Sequence, residues 1–215
     1  MSCSHPNLEP RNSSWDDFYK TELHNYNDHG EEGEVWFGMQ SVNRVVRWIV
    51  KEISEKTTPI LDLGCGNGMV LLKLEEEGYI NLTGVDYSQP AILLAKSLAQ
   101  NGQIKYETGD LLDLSSSAVF TTKYDVVLDK GTYDAISLSP DGALQKRLAY
   151  VENVHKLIPI GGYLWITSCN WTSSEIISHF TANSKFSLRE EIPVKQFKFG
   201  GQVGQTVCCL VFQAA

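Results

Sequence analysis

Ile60-Leu61-Asp62-Leu63-Gly64-Cys65-Gly66-Asn67-Gly68, running directly into Met69-Val70-Leu71-Leu72-Lys73-Leu74, decides how this chain folds. An apolar run that breaks into alternate glycines and resumes at helical spacing spells buried strand, tight turn, helix. Glycine lets a backbone take positive φ and come close to a ligand. The turn Gly64, Cys65, Gly66, Asn67, Gly68 is therefore expected to hold a nucleotide-type cofactor. Its spacing departs from the dinucleotide fingerprint G-x-G-x-x-G, whose third glycine would fall on Met69. No Gly-Lys-Ser/Thr closes it, so it is not a phosphate-binding P-loop. Asp62 stands two residues before Gly64, and no Lys or Arg lies between Lys56 and Lys73. A carboxylate at the mouth of a loop repels a pyrophosphate and attracts an ammonium or a sulfonium. S-adenosylmethionine carries both cations and no phosphate.

Two further anchors follow. Asn81-Leu82-Thr83-Gly84-Val85-Asp86 is the next strand, and an acid at the tip of strand two is where a βαβ unit grips ribose hydroxyls. Tyr87 beside it is placed to pack on an adenine. The structural alternative for Asp86 is capping of the helix that starts near Pro90, which Ser88 would do equally well. Gly109-Asp110-Leu111-Leu112-Asp113 follows a strand at 103–108 and places Asp110 to reach the adenine amino group. Together the three acids and the glycines make a class I methyltransferase pattern, with S-adenosylmethionine as donor and S-adenosylhomocysteine as product.

Outward from this centre, strands and helices alternate from residue 60 on, which predicts an α/β, doubly wound, mostly parallel sheet. Trp15, Phe18, Tyr19 and Leu23 share a helical face. Trp36 and Phe37 are large aromatics in a polar neighbourhood, which either pack on the body of the domain or form a lid. Ser41 is expected to cap a helix whose apolar stripe is Val42, Val45, Val46, Ile49, Val50 and Ile53. A helix over 89–101 turns Ala91, Leu94, Ala95 and Leu98 inward. Tyr124–Asp129 is the fourth strand, and Lys130-Gly131-Thr132-Tyr133-Asp134-Ala135 is the loop beyond its carboxyl end, where ligands bind in open α/β sheets. Asp129 and Lys130 are thus functional candidates or a local structural pair. A helix over 141–157 packs through Leu144, Leu148, Val151, Val154 and Leu157. The fifth strand, Tyr163–Ser168, ends in Cys169-Asn170-Trp171-Thr172, where Trp171 either stacks on a substrate or covers the sheet end. Phe186–Ile192 and Thr206–Phe212 alternate as strands, with a hairpin-like excursion at Lys195–Gln202 between them.

The chain has 215 residues, 42% of them hydrophobic and 20% charged, with a formal charge of −8. One domain over 14–215 is expected, behind a loose lead at 1–13 and with 14–40 as an N-terminal cover segment. The negative balance disfavours non-specific nucleic-acid binding and suits a basic protein partner. Cys3, Cys65, Cys169, Cys208 and Cys209 form no C-x-x-C and no zinc spacing with histidine, so no metal is expected. An odd set of thiols fits a reducing compartment. With no signal-like or membrane-spanning stretch, the cytosol is the expected location, with nuclear access open.

Four stretches together resemble one family: Asp129-Lys130-Gly131-Thr132-Tyr133-Asp134-Ala135-Ile136, Trp15-Asp16 through Gly33-Glu34-Val35-Trp36-Phe37-Gly38, Ser168-Cys169-Asn170-Trp171-Thr172, and Phe199-Gly200-Gly201. It is the eukaryotic seven-strand protein-lysine methyltransferases that act on translation elongation factor 1-alpha. The resemblance covers residues 13–213 and implies a class I, Rossmann-like sheet ordered 3-2-1-4-5-7-6 with the last strand antiparallel. It implies donor contacts from Asp62, Gly64, Gly66, Gly68, Asp86, Asp110 and the Asp129-Lys130-Gly131 turn. The donor set is then Asp62, Gly64, Cys65, Gly66, Asn67, Gly68, Asp86, Tyr87, Asp110, Leu111 and Asp129. Asp129, Lys130, Gly131 and Tyr133 form the expected catalytic turn, with Asp129 orienting the incoming amine and holding the loop. Trp36, Phe37, Asn170 and Trp171, together with Tyr133, are expected to line the substrate channel. The Asp/Asn-Pro-Pro-Tyr signature of nucleic-acid amino-methyltransferases is absent after strand four. A small-molecule methyltransferase and a non-catalytic cofactor-binding module are the alternatives.

Overall fold

The structure, a computed structural model, describes residues 15–99, 101–194, 197–199, 202–204 and 207–215. The expected lead at 1–13, the end of the helix expected to reach 101, and Lys195, Gln196, Gly200 and Gly201 of the excursion fall wholly or partly outside these residues. Helix α1 (Trp15–His29) and helix α2 (Gly38–Glu52) precede the sheet. Then β1 (Ile60–Leu63), α3 (Met69–Glu76), β2 (Leu82–Asp86), α4 (Gln89–Leu98) and β3 (Lys105–Thr108) follow in strict alternation. β4 (Val126–Lys130), α5 (Thr132–Ser137), α6 (Ala143–Leu157), β5 (Tyr163–Ser168) and α7 (Ser173–Thr181) continue it. The chain closes with β6 (Phe186–Glu191), the short pair β7 (Phe197–Phe199) and β8 (Gln202–Gly204), and β9 (Cys208–Ala214).

The main sheet runs β3-β2-β1-β4-β5-β9-β6. β1 to β5 are mutually parallel, and β9 is antiparallel to both neighbours. This is the expected order, the seventh sheet strand being β9 because β7 and β8 form their own hairpin. Parallel central strands covered on both faces should be apolar throughout. β1 and β2 are fully buried along their length. One layer, α2, α3 and α4, packs Val45, Ile49, Leu71, Leu74 and Ile92 against Ile60, Val126 and Trp165. The opposite layer, α5, α6 and α7, packs Tyr150, Val154, Ile176 and Phe180 against Leu61, Val127, Ile166 and Phe212. Among the described residues no helix is long and apolar enough to cross a membrane.

Three elements differ from expectation. Helix α2 starts at Gly38, ahead of Ser41, because Phe37 takes a left-handed conformation (φ 60°) and turns the chain before the first helical residue. Ser41 is buried in the helix face instead of capping it. On α6, Leu144 and Leu148 are 54% and 55% exposed. The buried stripe of that helix begins at Tyr150, with Val151, Val154 and Leu157.

The pleat settles which tip residues meet. Successive side chains on a strand point to opposite faces. In the parallel register Asp62 lies beside Gly84 and Leu128, whereas Leu63 lies beside Val85 and Asp129. Asp62, Asp86 and Lys130 therefore share the face covered by α2, α3 and α4. Asp129 points through the sheet to the other layer.

Candidate active site

The glycine turn begins where β1 ends. Cys65 N–H donates to the Val85 carbonyl (3.0 Å) and Gly68 N–H to the Cys65 carbonyl (2.9 Å), which folds the chain back into α3. Glycine is required at two positions for different reasons. A Cβ on Gly64 would run into the Thr132 hydroxyl, which donates to the Leu63 carbonyl at 2.7 Å and ties the β4 turn to the β1 turn. Gly66 has φ 55°, and a Cβ there would meet the Tyr19 hydroxyl. Helix α1 thus lays a buried tyrosine (7% exposed) directly over the turn. The Cys65 thiol, expected among the donor contacts, packs inward against Gly84. Burial pushes that thiol well above its ordinary pKa, so it is an inert core group.

Electrostatically the turn rests on Asp62. It is 2% exposed, and among the described residues no hydrogen bond reaches its carboxylate. Burial, opposed in part by Lys130 and reinforced by Asp129 and Asp86, raises its pKa to about 7. A buried carboxylate without a donor is costly unless something cationic meets it. The expectation that no cation approaches this loop holds only along the sequence. Lys130, brought in by β4 on the same face, is the nearby cation, and burial lowers its pKa while Asp62 and Asp129 oppose that effect. Its ammonium donates to the Trp36 carbonyl (3.3 Å) and lies 6.0 Å from the centre of the Phe37 ring. Lys130 therefore pins the turn ahead of α2 against the tip of β4.

Asp86 sits at the tip of β2, 6% exposed. Its two oxygens accept from Gly66 N–H (3.0 Å) and Ser88 N–H (3.0 Å), so it braces the glycine turn against the start of α4. Ser88 does not cap α4 with its side chain. Its hydroxyl donates to Asp16 of α1 at 3.0 Å. Asn67 donates to the Glu32 carbonyl (3.1 Å), a second tie between the turn and the N-terminal segment. Glu22 of α1 accepts from Glu34 N–H (2.7 Å) and orders the same segment. Trp36 packs edge-on against Trp15, 4.8 Å between centroids. The Phe37 ring lies 3.1 Å from where a Cβ on Gly131 would be. Tyr87 keeps a half-exposed ring (51%), with its hydroxyl at the amides of Trp15 and Asp16. Asp110 closes a local turn by accepting from Leu112 N–H at 2.8 Å. Leu111 is buried, and its carbonyl accepts from Asn153 (2.9 Å).

Two members of the expected catalytic turn sit elsewhere than foreseen. Asp129 is fully buried and accepts from Thr132 N–H (2.9 Å), Tyr133 N–H (2.9 Å) and the Tyr150 hydroxyl. It holds the first turn of α5 and faces away from Asp62, so its carboxylate, with three donors already on it, holds loop geometry on the far side of the sheet. Burial raises its pKa to about 7, against the lowering effect of Tyr150 and the two amides. Tyr133 is likewise fully buried. Its hydroxyl bonds His179 Nδ1 at 2.8 Å, and its ring packs on Tyr150, Trp171 and Phe180. It supports Trp171 from below and does not wall a channel.

Several contributors were not singled out as site residues: Tyr19, Tyr150, and the pair Asp134–Ser168, whose two members lie within the family stretches without a role assigned to them. Asp134 accepts from the Ser168 hydroxyl and from Cys169 N–H (2.8 Å), joining α5 to the end of β5. Ser168 Oγ in turn accepts from Asn170 N–H (3.3 Å) and Trp171 N–H (3.2 Å). Asn170 and Trp171 are thus set beside the β4 turn on the side opposite Trp36 and Phe37.

A doubly wound sheet with its acids and glycine turn gathered at the carboxyl ends of β1, β2 and β4 defines a class I methyltransferase. The family described as a methyltransferase domain matches residues 54–202. The chain is 41% identical to human EEF1A lysine methyltransferase 2, over 93% of this chain and 84% of that one. It is 39% identical to protein-lysine N-methyltransferase efm4 of Schizosaccharomyces pombe, over 93% and 91%. The N-methyltransferase NodS of Bradyrhizobium japonicum, solved with S-adenosylhomocysteine, superposes with a TM-score of 0.66 at 17% identity, covering 91% of this chain and 96% of that one. The chain belongs to the methyltransferase family and, within it, to the protein-lysine methyltransferases that these eukaryotic relatives represent.

The residues fit the donor of this family. An unpartnered buried carboxylate, Asp62, meets the need of an ammonium. Gly66→Ala is expected to weaken binding of S-adenosylhomocysteine by at least about tenfold in calorimetry. The cause is an alanine held at positive φ, at roughly 1–2 kcal/mol, with Tyr19 displaced as well. Unchanged affinity would show that the turn does not approach the donor.

Proposed function

We propose that this protein transfers a methyl group from S-adenosylmethionine to the side-chain amine of a lysine in translation elongation factor 1-alpha. The reaction class rests on Asp62, the buried carboxylate without a hydrogen-bond partner at the glycine turn. The target rests on the human relative, whose name gives EEF1A as its substrate, and the fission-yeast relative supports a lysine of a protein as the acceptor. The bound donor supplies an electrophilic methyl on a sulfonium, whose positive charge also disfavours a second cation nearby.

What remains for the chain is to place a neutral amine. At pH 7 a free lysine, with pKa ~10.4, costs about 4–5 kcal/mol to deprotonate. Phe37 against Gly131 and Trp171 above Tyr133 supply low-polarity surface on the two sides of the β4 turn, and desolvation lowers an amine's pKa. The Lys130 ammonium adds like-charge repulsion against a protonated substrate. Asp129 is buried on the opposite face with three donors already bound, so the amine gives its proton to water and not to this carboxylate. Placement then carries the acceleration.

The test is label transfer from radioactive donor into a eukaryotic cell lysate and into a metabolite extract. One labelled band at elongation-factor size, with mass spectrometry locating the methyl on a lysine, is the expected result. Label in small molecules alone would overturn the class, and label on a different protein would overturn the target.

A further inference from the structure

Arg147 stands on α6 three residues past Leu144 and one before Leu148, so the three share a helix face. Both leucines are more than half exposed. The Arg147 guanidinium lies over the Trp171 ring, 4.8 Å from its centre. Among the described residues Arg147 enters no salt bridge, and its Nε, like the Nε1 of Trp171, is buried without an acceptor. In a chain with 26 acidic and 18 basic residues, Arg147 is a cation held over an aromatic ring with no carboxylate in contact among the described residues. Lys20, Lys51, Lys73, Lys185 and Arg189 hold acidic partners, whereas Arg44, Lys130, Lys146 and Lys156 meet neutral acceptors. Arg147 differs from the latter in lying over Trp171 beside exposed leucines.

The position is not incidental. Trp171 follows β5, whose Thr167 pairs with Lys130 at the tip of β4. Two orphaned donors and two exposed leucines therefore flank the edge where the target amine must enter. Nε is enclosed by the protein, but the two terminal Nη groups form a fork that a carboxylate, with about four lone-pair sites, can engage end-on. The contact with the Trp171 ring restrains the guanidinium before a partner arrives. An exposed apolar surface around an arginine is also the composition of interface centres.

We propose that Arg147, held over Trp171, recognises an acidic side chain of the substrate protein close to the methylated lysine, with Leu144 and Leu148 forming the apolar rest of that docking surface. This deepens the protein-lysine methyltransferase reading and rests on it. Arg147 is a positioning residue and touches neither donor nor reacting atoms.

The experiment uses the full chain and the protein that takes up label, recombinant elongation factor 1-alpha in the first instance. Arg147→Gln is expected to raise the KM for that protein about tenfold, with kcat and the Kd for S-adenosylhomocysteine within about twofold. Arg147→Lys should recover part of the loss. Raising the salt from about 50 to about 300 mM should raise the wild-type KM and leave that of Arg147→Gln almost flat. Among substrate variants with acids near the target lysine replaced by amides, one should reproduce the KM increase and be insensitive to Arg147→Gln. A labelled protein whose KM is unmoved by Arg147→Gln and by Arg147→Glu would overturn the inference and leave the function standing. A fall in kcat and donor affinity together, without recovery in Arg147→Lys, would overturn it by assigning Arg147 a purely structural part. If the wild type labels no protein at all, the function falls and the inference with it.

Discussion

Asp129→Ala is expected to lower the unfolding free energy by about 3–5 kcal/mol, enough to reduce Tm by roughly 10 °C in a chain of this size. The carboxylate is the common acceptor for two amides at the start of α5 and for the buried Tyr150 hydroxyl. Removing it strands three donors inside the α5–α6 layer, where each unsatisfied group costs about 1–3 kcal/mol. Thermal unfolding followed by circular dichroism measures the effect. Turnover should fall with the disordered turn, because Lys130 and Gly131 are held from the same two residues. Tyr150→Phe should lose only one of the three bonds and about 1 kcal/mol. A stable Asp129→Ala protein with abolished turnover would mean that the carboxylate acts directly on the amine after all.

The second large effect concerns pH. The Asp62 pKa is raised to about 7 in the folded chain, against about 3.9 unfolded. Between these values the folded protein holds a proton that the unfolded chain has released. The stability from this group is therefore greatest at low pH and declines as pH rises through 7. Donor binding runs the opposite way, because an ammonium prefers the ionised form. The Kd for S-adenosylhomocysteine should weaken close to tenfold from pH 7.5 to pH 6, as ionised Asp62 becomes a small fraction. Calorimetry in buffers of different ionisation heats should register uptake of a proton by the buffer at pH 6. Asp62→Asn should weaken binding at pH 7.5 by about 30- to 100-fold, the value of a hydrogen bond to a charged group, and flatten the profile. A variant that keeps the slope would assign it to Asp129 or Asp86.

The architecture was readable from the sequence because glycine placement and apolar periodicity are local signals. The order of strands and the antiparallel β9 came through resemblance, since nothing in Cys208–Ala214 itself announces a direction. Asp62, Asp86 and the three glycines lie at one end of the sheet, as a strand-turn-helix pattern requires. What failed depended on the pleat. Asp129 and Lys130 are adjacent in sequence, and only the register with Leu63 and Thr167 decides which of them faces Asp62. Tyr133 looked like a channel wall because its neighbours are loop residues, but α5 turns it inward. Leu144 and Leu148 fitted a helical stripe that the packing of α6 starts nearly two turns later. Tyr19 over Gly66 is a contact between segments distant in sequence, for which spacing gives no sign.

The position of β9 bears on how the molecule assembles. It lies between β5 and β6, and most of its residues are buried, yet it is the last of the seven sheet strands to be synthesised. Until it emerges from the ribosome, β5 presents an unpaired inner edge and Phe180 lacks its stacked partner Phe212. A nascent chain in that condition has an open strand of the kind that templates wrong pairings, so its safe passage depends on chaperones or on rapid completion of translation.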